Sequence, residues 1–436
     1  MLRVLERGPA SGPELQAHLG VSQPTLSRLV GRVRRVLPFG RARRRRYALR
    51  RPIGSLRGAL PVFEVMPTGE VREAFGLQPI APDRFVVEGP GLRATVFDDL
   101  PWFLQDLRPA GFLGRTVTRS LPPGWLPRDL RMWSAEHTLE YAARFGWNLP
   151  GAFLVGEDSV QLRGDHLDAP PDVVVASERD ETYGARAASV LAHGDAGSSA
   201  AGEQPKFLAT RRDATHDVPV LVKFSPRRDH PASIRTADLL VAEHLALEVL
   251  RSVGHPAAAS TLVESDERMF LEVERFDRAP GGGRRSTVTL QFVDAEFVGS
   301  DLSRWSTSTA ELAQLGLIDA ETHRRTRFRE QFGDWIANTD QHFGNLAFHL
   351  DGVKIVGLTP AYDVNPAAYV PIRGDVPEID PAVRVARPSN RDIASEARVA
   401  AIELWRRVST DDRVSTAFRA IARERITRLE RLRVDP

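Results

Sequence analysis

The sequence predicts an α+β chain of two or three domains, and three observations carry that expectation. Its 436 residues exceed what one hydrophobic core usually organises, and a 42% apolar share, with 7 Trp and 20 Phe, is enough to bury several. Charge is lopsided: residues 1–51 hold 13 Arg against Glu6 and Glu14, a net of +11, so the other 385 residues carry −9 and the chain as a whole only +2. Beyond residue 52, short strands broken by Gly and Pro alternate with amphipathic helical stretches. The expected boundaries are 1–52, 53–170, 171–298 and 299–436.

Zero Cys removes disulfides, thiolate nucleophiles and Cys-ligated zinc from consideration. The start, MLRVLERGPASG, carries Glu6 and Arg7 where a signal peptide needs an apolar core. No uncharged apolar run reaches the roughly 18 residues of a membrane span. No membrane partner and a cytoplasmic address are therefore expected.

In the basic module, Ser11 and Pro13 open a short helix, Gly20 closes it after Leu15 and Leu19, and Ser22 with Pro24 opens another. On the second helix Leu26, Leu29, Val30 and Val33 form one stripe expected to be buried. That stripe turns Gln23, Thr25, Ser27, Arg28 and Arg32 outward, all residue types that read a DNA groove. The following VLPFGRARRRRYALRRP reads as two short strands around an Arg-loaded tip, with Arg43, Arg44 and Arg45 placed to lie along phosphates. Double-stranded DNA is the expected partner of residues 1–52, read as a winged helix-turn-helix.

Residues 52 to 168 read as strands (VFEVMPTGEVREAFG, RFVVEGPGLRATVFDD) followed by Trp-rich helix, with His137 and Trp133 on one helix taken as structural and no chemistry assigned. Next, AHGDAGSSAAGEQPKFLA runs small residues into Gly202, Glu203, Gln204 and Lys206. Small residues let backbone N–H groups approach an anion, although the stretch is not a Walker A motif. The chain holds only 3 Lys beside 56 Arg, so a surviving Lys marks a place where a compact ammonium suits better than a planar fork. Lys223 sits in the strand VPVLVKFSP between Val222 and Phe224, an apolar setting in which it needs an anion, and Glu243 on the next helix is placed to supply one. Lys354 reads as an ordinary strand position. APGGGRRS, with no helix after it, reads as a mobile loop.

IANTDQHFGNLAFHL sets two Asn, an Asp and a His among apolar residues. Asp340 and Asn345 stand five apart, the interval between the catalytic Asp and the metal-binding Asn of a kinase loop H-R-D-x-x-x-x-N. There the Asp orients the attacking hydroxyl, and the Asn oxygen holds a magnesium ion chelated by the phosphates. LAFHLDGVKIVGLTP alternates about Asp351-Gly352 as a hairpin and delivers the chain to Asp363, a second carboxylate where a kinase keeps its other metal ligand. Each residue alone also suits a cap or turn. Their order after a strand Lys points to phosphoryl transfer.

At SSAAGEQPKF, VLVKFSP, VERFDR, NTDQHFGN and AYD, in that order across residues 55 to 430, the sequence resembles the HipA family of bacterial serine/threonine kinases, toxins of some toxin–antitoxin systems. The leading basic module makes it similar to the YjjJ-type branch, whose members bear their own DNA-binding domain. The resemblance implies a HipA-like two-lobed protein kinase fold preceded by a winged helix-turn-helix, and an ATP- and magnesium-dependent protein serine/threonine kinase. It further implies Asp340 as catalytic Asp, Lys223 as catalytic and phosphate-binding Lys, and Asn345 and Asp363 as magnesium ligands. Gly202, Glu203, Gln204 and Lys206 match the phosphate loop, the backbone at Glu274 and Phe276 the adenine hinge, and Ser199 the autophosphorylated Ser, with Ser198 an alternative beside it. His342 is read as orienting the loop at the nucleotide. The run TLQFVDAEF departs from the Gln-rich segment that often follows the hinge, and nothing resembles DFG or APE. Expected partners are a protein substrate and operator DNA, with a homodimer left open. The alternatives are a transcriptional regulator whose kinase-like part only senses nucleotide, and a small-molecule kinase sharing the Asp and Asn spacing.

Overall fold

The computed structural model describes residues 1–56, 58–193, 204–214, 216–383 and 385–432. The first helix of the basic module, Gly12–Leu19, is capped by Ser11 in a reciprocal box with Glu14 and ends on Gly20 in the left-handed conformation. Ser22 precedes the second, Gln23–Arg32. Strands Val36–Phe39 and Arg46–Leu49 then pair antiparallel, and Ala10–Ser11 adds a third short strand to the sheet. The helical stripe is narrower than the sequence suggests. Leu26 is buried and Val30 and Val33 pack beside it, but Leu29 is 36% exposed, because the contacts of the helix with its neighbours cover only one side. A further short helix, Leu2–Leu5, was not expected from the sequence.

The module is not a free appendage. Phe39 and Ala48 from its strands share a small core with Ile80 and Val86 of the following sheet, Arg50 forms a β-bridge with Ile80, and Ala81 N–H donates to the Leu49 carbonyl at 2.8 Å.

That following sheet has five antiparallel strands, in the spatial order Leu92–Phe97, Arg84–Gly89, Val71–Ile80, Leu60–Val65, Phe153–Val155. Helices Gly111–Ser120, Ala135–Phe145 and Gly156–Asp168 accompany it. A second five-stranded sheet runs Ser260–Ser265, Arg268–Glu274, Asp217–Phe224, Lys206–Arg212, Val173–Val175, antiparallel except for its last pair. The long helix Pro231–Ser252 backs it, sharing one core with the helices Ala320–Trp335, Arg391–Thr410 and Thr416–Arg431 through Leu245, Trp335, Trp405 and Phe418. A three-stranded sheet, Thr287–Thr289, Ala347–Asp351, Lys354–Leu358, lies between strand-rich and helical parts. Its Val288 and Phe348 join the core of the first five-stranded sheet. The result is an α+β fold in two kinase-like lobes.

One expectation fails here. The glycines of APGGGRRS do not make a mobile loop: they turn between the paired segments Arg278–Ala279 and Gly283–Arg284. Gly283 is buried where a Cβ would collide with the Pro67 carbonyl, so the glycines serve close backbone approach. Among the described residues no helix is long and apolar enough to cross a membrane.

Candidate active site

A cleft of about 610 Å³ opens beside the second five-stranded sheet, walled by Lys223, Glu243, Phe276, Tyr362 and Asp363 among others. Lys223 is placed by strand alternation. Val222 and Phe224 point into the sheet's own core, which turns Lys223 to the opposite face. Its ammonium donates to Glu243 at 2.6 Å and also to Asp363. Only 5% of the Lys223 side chain is exposed, and burial alone would drive it toward neutrality. The two carboxylates outweigh burial and hold its pKa above the usual lysine value. Burial would raise the Asp363 carboxyl, yet the charges of Lys223 and Lys206 bring it down to about 2. Burial pushes Glu243 upward, against the pull of Lys223.

Asp363 has φ +53°, a left-handed conformation that Asp tolerates better than most side chains. Lys206 stands directly across the strand pair from Lys223, and the Gln204 side chain donates to the Phe224 carbonyl. Ser199, Gly202 and Glu203 lie outside the described residues.

Asp340, His342 and Asn345 form a second cluster on the loop after helix Ala320–Trp335. Three bonds shape it. The Asp340 N–H donates to Asn338 Oδ1 at 2.9 Å, Asn345 Nδ2 donates to the Asp340 carbonyl at 2.8 Å, and the Gly344 N–H donates to His342 Nδ1 at 3.0 Å. Asp340 is left with a 63% exposed side chain, 3.9 Å from His342 Nε2. These residues do not line the cleft. They are tied to it by Tyr362, whose hydroxyl donates to the Gly344 carbonyl at 2.7 Å.

Glu274 and Phe276 both line the cleft. Phe276 packs on Tyr362 with ring centroids 5.4 Å apart, so the segment at Glu274–Phe276 and the Asp363 segment share one aromatic floor. The Glu274 carboxylate faces away to Arg211 at 3.0 Å.

The middle segment, to which the sequence assigned no chemistry, supplies a wall of the cleft: Asp106, Arg108, Leu113, Val117, Tyr141 and Phe145. Asp106 accepts from the Thr289 N–H at 2.7 Å and the Thr289 hydroxyl at 3.1 Å, and burial lifts its pKa to about 6. No sequence motif marks these residues, because their role depends on how the middle segment packs. Tyr362 could have been suspected from its place beside Asp363.

In the basic module Gln23, Ser27, Arg28, Arg32, Arg44 and Arg45 are exposed and Thr25 is half-buried, all on the second helix or between the paired strands. Arg28 donates to Thr25 at 3.3 Å and Gln23 to Ser27 at 3.3 Å, so this face is ordered by its own side chains. The side chain of Arg43 lies outside what is described.

A two-lobed fold whose cleft holds a buried lysine between two carboxylates defines a kinase-like protein. A HipA-like C-terminal domain model matches residues 198–431, more than half the chain, and a YjjJ-like toxin middle domain model matches residues 56–163. Toxin YjjJ of Escherichia coli (strain K12) is 37% identical over 430 residues, 97% of this chain and 95% of that one. HipA in its complex with HipB and operator DNA from Shewanella oneidensis MR-1 superposes with a TM-score of 0.53 at 16% identity, over 85% of this chain and 97% of that chain. The chain therefore belongs to the YjjJ-like branch of the HipA-like toxins.

Proposed function

We propose that this chain is an ATP- and magnesium-dependent protein serine/threonine kinase of the HipA toxin type, with an intrinsic DNA-binding unit. The observation that supports it most is Lys223, held between Glu243 and Asp363 in a nucleotide-sized cleft beside the Asp340–Asn345 loop. In this reading the lysine exchanges Asp363 for nucleotide phosphates and keeps Glu243 as its anchor, while the backbone at Glu274 and Phe276 faces the base.

The donor set suits magnesium. Asp363 is ionised, and Asn345 spends its amide nitrogen on the Asp340 carbonyl, which leaves its oxygen to serve a hard cation. Asp363 and Asn345 would hold the ion, which when bound offsets charge on the phosphates. Asp340, exposed and fixed at its backbone by Asn338, receives the hydroxyl of a protein Ser or Thr and orients its proton. Gln204, Lys206, Gly202 and Glu203 belong to the phosphate loop, with Ser199 as the autophosphorylation site. Gln23, Thr25, Ser27, Arg28, Arg32 and the arginines 43 to 45 face double-stranded DNA, and the HipB and operator DNA of the Shewanella complex make an operator a natural partner.

Incubation with γ-labelled ATP and magnesium tests the reading. Label is expected on the chain itself and to vanish in Asp340→Ala. A fully active Asp340→Ala variant refutes the assignment, and an unlabelled wild-type chain that still binds nucleotide favours a sensing regulator.

A further inference from the structure

Beside the cleft lies a second, larger cavity of about 760 Å³, between the middle segment and the chain that follows the hinge. Besides Arg212, which is paired with Asp217, its walls carry four clustered arginines: Arg163 from helix Gly156–Asp168, and Arg275, Arg278 and Arg284 from the segment after Glu274. They are deeply placed, with Arg163 6% and Arg284 3% exposed.

The balance of charge is uneven. Asp277 pairs with Arg275 and Arg278, both at under 3 Å. The other acidic wall residues are engaged elsewhere: Asp213 with Arg211, Asp217 with Arg212, Asp172 with Arg186. Among the described residues no carboxylate pairs with Arg163 or Arg284. Their neighbours are backbone carbonyls, Gly282 for Arg163 at 2.5 Å and Trp147 for Arg284. Arg163 Nε and Arg284 Nη1 have no hydrogen-bond partner at all. Four guanidiniums around one carboxylate leave three positive charges in a protein interior, where an unpaired charge is expensive. Burial, together with the charges of Arg275 and Arg163, pushes Arg284 down to about 9.

We propose that this cavity binds a small phosphorylated molecule, its phosphoryl oxygens received by Arg163 and Arg284. A phosphoryl group carries close to two negative charges and several acceptors, which suits forked guanidiniums better than a monocarboxylate does. The volume lies in the range of small-molecule sites and leaves room for more than a phosphate. The Trp147 and His166 rings, 4.0 Å apart at their centroids, line the remaining wall. Trp147, Asn148 and Arg275 border both cavities, so the site abuts the nucleotide cleft without containing Lys223 or Asp363.

Pyrophosphate titrated calorimetrically into the full chain, without magnesium and at fixed ionic strength, tests this. Wild type and the double variant Lys223→Met with Glu243→Met, which keeps most of the stability, are expected to bind it equally, and Arg163→Gln and Arg284→Met to weaken it by about tenfold or more each, as expected for a lost hydrogen bond to a charged group. Arg163→Lys should restore part of the loss. If Arg284→Met does not fold, the two Arg163 variants decide. Binding lost in Lys223→Met with Glu243→Met but kept in Arg163→Gln, no binding to wild type, or equal displacement by chloride at matched ionic strength (an adventitious ion only) each overturns the proposal.

Discussion

At the scale of single residues, Lys223 shows how burial and charge are set against one another. Its ammonium separates the buried carboxylate of Glu243 from the half-buried one of Asp363, so Lys223→Met leaves two acidic groups facing each other and is expected to cost about 3 kcal/mol in urea unfolding. Lys223→Met with Glu243→Met should recover much of that. Lys223→Arg keeps the charge but replaces a compact ammonium with a planar fork, so transfer of label from ATP is expected to fall while folding survives. Asp106 makes a different prediction. Its folded pKa of about 6 lies above the ordinary value near 3.9, so the folded state holds a proton that the unfolded chain releases first. Stability contributed by that proton is full below pH 4 and lost as pH rises toward 6. Asp106→Asn should flatten this part of a Tm-against-pH curve, and an unchanged slope would show that Asp106 does not carry it.

At the scale of elements, local chemistry fixes where the site residues stand. Gly352, at φ +57° in the turn between Ala347–Asp351 and Lys354–Leu358, lets the hairpin reverse tightly and return the chain to Asp363. Gly352→Ala places a side chain in a left-handed position and is expected to cost about 1 kcal/mol in denaturant unfolding, with ATP affinity dropping as Asp363 is displaced. The Asp340 loop is held otherwise, by side chains bonded to its own backbone and by Tyr362. Alternation and the Asp-Gly pair made the hairpin readable in the sequence. The spacing of Asp340 and Asn345 was readable too, but their separation from the cleft lining was not, because it follows from packing against Tyr362. Leu29 was misplaced for a related reason: periodicity reports a stripe and not what lies opposite it.

At the scale of the whole molecule, the docking of the basic module on the first five-stranded sheet is the consequential feature. Phe39, Ala48, Ile80 and Val86 form an apolar seam, and Arg51 pairs with Glu136 across it. Ile80→Asp, which buries a charge in that seam, is expected to free residues 1–52 for rapid proteolysis while ATP-dependent labelling persists. Loss of both together would mean that the seam supports the cleft as well. If the module engages DNA, affinity falls linearly on a log–log plot against salt, by about 0.9 per phosphate contacted, and Arg44→Ala or Arg45→Ala should each shallow that slope by about one.

By itself the sequence determined the basic module, the helix–turn–helix–strand order, the hairpin about Gly352 and the identity of the polar residues that gather at the cleft. Each of these is written in periods, caps and turns that act over a few residues. Only the tertiary structure decided that Asp363 joins the Lys223–Glu243 pair, that the middle segment supplies a wall of the cleft, and that four arginines converge around Asp277. These depend on contacts between residues far apart in the chain, which no local pattern encodes, because burial and shared charge arise only when separate elements pack against one another.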